Sequence, residues 1–100
     1  MLNITKTFDN DALQIALEGR LDTTTAPDLE SALNESINDA KELTLDFGKL
    51  EYISSAGLRV LLSAQKIMNQ QGSMRVINVR DEINDIFEVT GFSDILTIES

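Results

Sequence analysis

Tyr52-Ile53-Ser54-Ser55-Ala56-Gly57-Leu58-Arg59-Val60-Leu61-Leu62 is the stretch on which the fold turns. Before it, Leu43, Leu45 and Phe47 alternate with Thr44 and Asp46, the period of a strand with one buried face. After it, Leu58, Leu61, Leu62, Ala64, Ile67 and Met68 recur at helical spacing, and Gly72 offers a C-terminal stop. The segment predicts a strand, a connecting loop over Gly48-Lys49-Leu50-Glu51, and a helix from about Ser55 to Gln70. Ser54 and Ser55 fall at the helix start, where unpaired N–H groups and the positive end of the helix dipole meet. Two readings follow. One serine caps the helix, or one carries a phosphate that the helix start stabilises by about 0.3–1 kcal/mol. Ser55, Arg59, Ser63 and Lys66 recur at spacings of three or four and line one polar strip. Arg59 is then either solvated, or within reach of a phosphate on Ser55, or set to meet an acid on a partner.

On the N-terminal side, Leu2, Ile4 and Phe8 predict a first strand, and Leu13, Ile15 and Leu17 a second, joined by the turn Asp9-Asn10-Asp11 as a hairpin. Glu18-Gly19-Arg20-Leu21-Asp22 leads to Thr23-Thr24-Thr25, where the chain leaves the sheet. Thr25-Ala26-Pro27-Asp28 starts a helix with a capping threonine and a first-turn proline, and Leu29, Ala32, Leu33, Ile37 and Ala40 make its buried stripe. On the C-terminal side, Met74 to Val79 predicts a central strand. Asp81 to Thr90 predicts a short helix stopped by Gly91, and Phe92, Ile95, Leu96 and Ile98 finish the chain with a short edge strand. The order β-β-α-β-α-β-α-β implies an α/β domain with a mixed sheet of four to five strands and helices packed on it.

Length and composition narrow the function. One hundred residues, 42% apolar, suit one domain spanning residues 1–100. Seventeen acids against eight bases give a net charge of −9 with no basic cluster, so nucleic acid and anionic membrane are poor partners. The absence of Cys and His removes disulfides, Ser-His-Asp triads and the usual zinc sites. Asp22 and Asp46 are too few for a hard-cation site, and neither a metal nor a cofactor is expected. No apolar run approaches the roughly 20 residues of a membrane helix, and a cytoplasmic monomer is expected.

The chain resembles the STAS domain of bacterial anti-sigma factor antagonists over essentially its whole length. Glu18-Gly19-Arg20-Leu21-Asp22, Leu45-Asp46-Phe47 and above all Tyr52-Ile53-Ser54-Ser55-Ala56-Gly57-Leu58 carry the likeness, and Gly91-Phe92 with Ile95 to Ile98 matches the way such domains end. The resemblance implies that Ser55 is the phosphoacceptor, with Ser54 as second choice because it stands where the family pattern has Asp. It implies further that the unphosphorylated protein binds an anti-sigma factor that is also a serine kinase, that phosphorylation breaks this complex, and that a serine phosphatase restores it. The docking surface then comprises Asp22, Thr23, Asp46, Ser54, Ser55, Ala56, Gly57, Arg59 and Ser63. Asp22 and Asp46 are expected at strand ends flanking Ser55, so that a phosphate joins an already acidic patch. A constitutive scaffold beside the ATPase of a lipid transporter is the alternative. An enzyme is disfavoured, since nothing obvious activates the serine.

Overall fold

Asn10 and Asp11 form a two-residue turn, with Asn10 in the left-handed region (φ 57°) that asparagine tolerates. The turn closes β1 (Leu2–Asp9) onto β2 (Ala12–Leu21) as an antiparallel hairpin, with Asp9 opposite Ala12. The computed structural model describes residues 2–99, so Met1 and Ser100, the ends of the expected domain, lie outside the described residues. From β2 the chain continues through α1 (Ala26–Ser36), β3 (Glu42–Ile53), α2 (Ser55–Gln71), β4 (Ser73–Ile77), α3 (Asp81–Thr90) and β5 (Ile98–Glu99). The five strands lie in the order β1-β2-β3-β4-β5, all parallel after the first pair.

One face of the sheet builds the core. Leu13, Ile15, Leu17 and Leu21 from β2, Leu43, Leu45 and Phe47 from β3, and Met74 and Val76 from β4 are buried there. Leu29 and Leu33 of α1, Leu61 and Met68 of α2, and Ile83 and Phe87 of α3 cover them. The rings of Phe47 and Phe87 lie 6.3 Å apart. The opposite face carries Thr5, Thr7, Gln14, Glu18 and Arg75 and is exposed.

Four expectations change. Gly48-Lys49-Leu50-Glu51 is not a loop but part of β3, paired to β2 through two irregularities of register. Residues 16 to 18 of β2 span 46 to 49 of β3, and residues 19 to 20 span 50 to 52, so β3 holds an extra residue at each place. Its inward residues consequently run Phe47, Leu50, Ile53, every third instead of every second, and all three are buried. The stripe of α1 is broken at Ser36, and Ile37–Asp39 tightens into a 3₁₀ turn that keeps Ile37 and Ala40 in the core. Thr25 occupies the cap position but gives no capping bond: its buried hydroxyl donates to the Arg20 carbonyl (2.8 Å) and accepts from Asp22 N–H (2.9 Å). β4 ends at Ile77, because Asn78 (φ 56°) turns the chain and returns Val79 to the core from outside the sheet.

Gly72 does end α2, in extended backbone (φ 178°) and for a steric reason. A Cβ there would fall 1.8 Å from the Lys41 carbonyl oxygen, so only glycine lets the two chains pass. The Gln71 amide fastens the same corner by donating to the carbonyls of Ile37 (2.5 Å) and Ala40 (2.8 Å).

Candidate functional site

Ser54 joins strand to helix. Its N–H donates to Leu21 C=O at 2.9 Å, which ties the end of β3 to the end of β2. Its extended backbone (φ −101°, ψ 173°) makes it the N-cap of α2, and its hydroxyl accepts from Gly57 N–H at 3.4 Å. The cap reading therefore belongs to Ser54. Ser55 is the first helical residue and its side chain is exposed. The two hydroxyls are thus separated by role: one is committed to the backbone and the other is presented to the surroundings.

Gly57, expected on the docking surface, is buried instead. A Cβ on it would meet Leu21 Cγ at 2.7 Å and Ile53 Cγ1 at 3.0 Å, so the bare backbone is what lets α2 settle onto the strand ends. Ala56 is half-buried, Thr23, Arg59 and Ser63 are exposed, and the four residues meet in a groove of about 320 Å³ between α1 and α2. Ser55 precedes Ala56 in the chain and is not itself part of the groove's lining.

Asp22 is placed beside Ser54 by the Ser54–Leu21 bond, but it is heavily engaged in its own loop. Its Oδ1 accepts from the Thr24 hydroxyl (2.7 Å), Thr24 N–H (3.0 Å) and Thr25 N–H (3.1 Å), while its carbonyl accepts from Ala26 N–H (2.8 Å) at the start of α1. The Thr24 hydroxyl, aided by these amides and opposed by burial, lowers its carboxyl pKa below the usual value. Asp22 therefore remains ionised and holds the loop that carries Thr23.

Asp46 is not at a strand end and does not flank Ser55. It lies opposite Ala16 and Ile77, accepts from Gly48 N–H (2.9 Å) and the Asn78 side chain (3.1 Å), and helps set the first irregularity of β3. The seven steps from Asp46 to Ile53 span roughly 20 Å at strand rise. The expected acidic patch reduces to Asp22, and the exposed charges beyond Ser55 along α2 are the cations Arg59 and Lys66.

One pairing at this end is not legible in the sequence. The Arg20 guanidinium stacks 4.4 Å from the centroid of the Tyr52 ring, and its Nε lies 3.9 Å from Asp22 Oδ2. Arg20 and Tyr52 are partners across β2 and β3 only because of the second register shift, which period-two spacing does not reveal. The run of threonines after Asp22 was the available signal for the loop, since Asp followed by Thr hydroxyls and amides is turn chemistry.

The STAS domain family model matches residues 3–100. The chain belongs to the STAS domain family. Among its relatives, the anti-sigma-B factor antagonist of Listeria monocytogenes is 33% identical over 97 residues, covering 95% of this chain and 85% of the relative. The anti-sigma-B factor antagonist of Staphylococcus aureus is 28% identical over 99 residues, covering 97% of this chain and 92% of the relative. A crystal structure of an anti-sigma factor antagonist from Mycobacterium paratuberculosis superposes with a TM-score of 0.90 at 19% identity, covering 99% of this chain and 86% of that one. In this STAS domain the strand ends, the Ser54 cap and the α1–α2 groove form one surface on which Thr23, Ser55 and Ser63 are exposed.

Proposed function

We propose that this STAS domain is an anti-sigma factor antagonist, a binding protein of the cytoplasm and a monomer, that captures an anti-sigma factor kinase while Ser55 is unmodified. Phosphorylation of Ser55 by that kinase releases the partner, and a serine phosphatase resets the domain. The observation that carries the reading is the division of labour at the helix start: Ser54 holds the cap and Ser55 is exposed on a fixed backbone. Relatives named as anti-sigma-B factor antagonists support the partner class. A phosphate adds roughly −1.5 to −2 charge and three acceptor oxygens, enough to change a surface without changing the fold. The docking surface is Asp22, Thr23, Ser54, Ser55, Ala56, Arg59 and Ser63, with Gly57 as packing beneath it and Asp46 remote from it.

The test compares wild type with Ser55→Asp as baits in lysate of the source cell prepared without phosphatase inhibitors. Wild type is expected to retain an anti-sigma factor kinase that Ser55→Asp loses. Retention of one transporter ATPase by both baits would instead establish a constitutive scaffold.

A further inference from the structure

We infer that the α1–α2 groove receives an acidic segment of the anti-sigma partner and that Arg59 and Lys66 are the residues that select it; this rests on the antagonist reading above. α2 runs Ser55–Gln71 with no Asp or Glu, and Arg59 and Lys66 are its charged residues. The helix therefore carries +2 in a chain of −9, which leaves −11 on everything else. The two cations are seven residues apart on one stripe, a rise of about 10 Å, with Ser63 between them. Both are exposed, and neither forms an ion pair among the described residues; the acid on the groove's rim, Glu30, pairs with neither.

Ala26 and Val60, both buried, and half-buried Ala56 and Leu62 give the groove an apolar lining beside these cations. An occupant that buries a small apolar side chain there and offers two carboxylates about 10 Å apart, the spacing of acids two helical turns apart, pairs both cations of the groove. A basic or neutral segment would cover two cations without pairing them.

The same charges give the switch its mechanism. Ser55 lies four residues before Arg59, the spacing of neighbours on a helix face. A phosphate on Ser55 brings roughly −1.5 to −2 and cancels the +2 of the strip, so the acidic segment loses its attraction at the moment of modification. Exposed ion pairs contribute little affinity one by one, so the signature is kinetic: fast, salt-sensitive association.

The experiment measures association of the purified anti-sigma factor kinase with wild type and with the double variant Arg59→Glu/Lys66→Glu, at low and high salt. Wild type is expected to associate about tenfold or more faster at low salt, and to lose that advantage as salt rises. Arg59→Gln/Lys66→Gln, which removes charge without reversing it, is expected to fall between them, and thermal melting of both variants reports folding. Reversed and neutral variants that associate at the wild-type rate would overturn this inference and leave the antagonist reading in place. Wild type that does not bind the kinase at all would overturn both.

Discussion

At Gly57 there is no space for a methyl group, because Leu21 and Ile53 close on it from the two strand ends. Gly57→Ala is expected to cost about 1–3 kcal/mol as those side chains are forced aside, measured by denaturant unfolding. The adjacent serines separate cleanly in the same assay. Ser54→Ala removes a cap and is expected to cost about 0.5–1 kcal/mol while leaving Ser55 open to the kinase. Ser55→Ala is expected to leave stability within about 0.5 kcal/mol and to abolish phosphate incorporation, read by intact mass. Incorporation that persists in Ser55→Ala and disappears in Ser54→Ala would move the phosphoacceptor to Ser54. Asp22 adds a pH dependence of definite sign. Its folded pKa is lowered, so its contribution to stability is present above the unfolded value of about 3.9 and is lost as pH falls through the lower folded value. Asp22→Asn should therefore lower Tm at pH 7, and the gap to wild type should close at acid pH.

Among the elements, β3 shows what could be read from the sequence and what could not. Its first half alternates cleanly, and the helix after it announces itself by the spacing of Leu58, Leu61 and Met68. The second half has inward residues three apart, which matches neither the strand period nor a strand's usual polar alternation. The cause is non-local: the extra residues of β3 are defined only against β2, and no stretch of β3 alone encodes that comparison. Asp46 was misplaced for the same reason, since a strand thought to end at Phe47 puts Asp46 near the helix. The buried state of Leu50 makes the difference measurable. Leu50→Ala is expected to cost about 2–5 kcal/mol, as a core position does, whereas a solvated loop would tolerate it with almost no loss in chemical denaturation. α1 was legible through Leu29 and Leu33, but its end was not, because the helical spacing of Ile37 and Ala40 persists through the 3₁₀ turn.

Across the whole molecule, β2 and β3 outrun β4. Ile77 lies opposite Asp46, and β3 continues for seven residues beyond that point with β2 beside it. Ser55 therefore follows a strand end roughly 20 Å beyond the last residue of β4. Enzymes that modify proteins usually take their targets from slack segments that can be drawn into a cleft. Here the proposed target is the first turn of a helix, so reach has to stand in for slack: β2 and β3 carry the hydroxyl past the end of β4, with β1 beside β2 as far as Gly19, and the kinase comes to it. Modification at such a site does not wait for local unfolding. A variant weakened elsewhere in the core, such as Phe87→Leu, should then be phosphorylated at the wild-type rate in a time course below its melting temperature, whereas a target that must first be unpacked would be labelled faster in proportion to the lost stability.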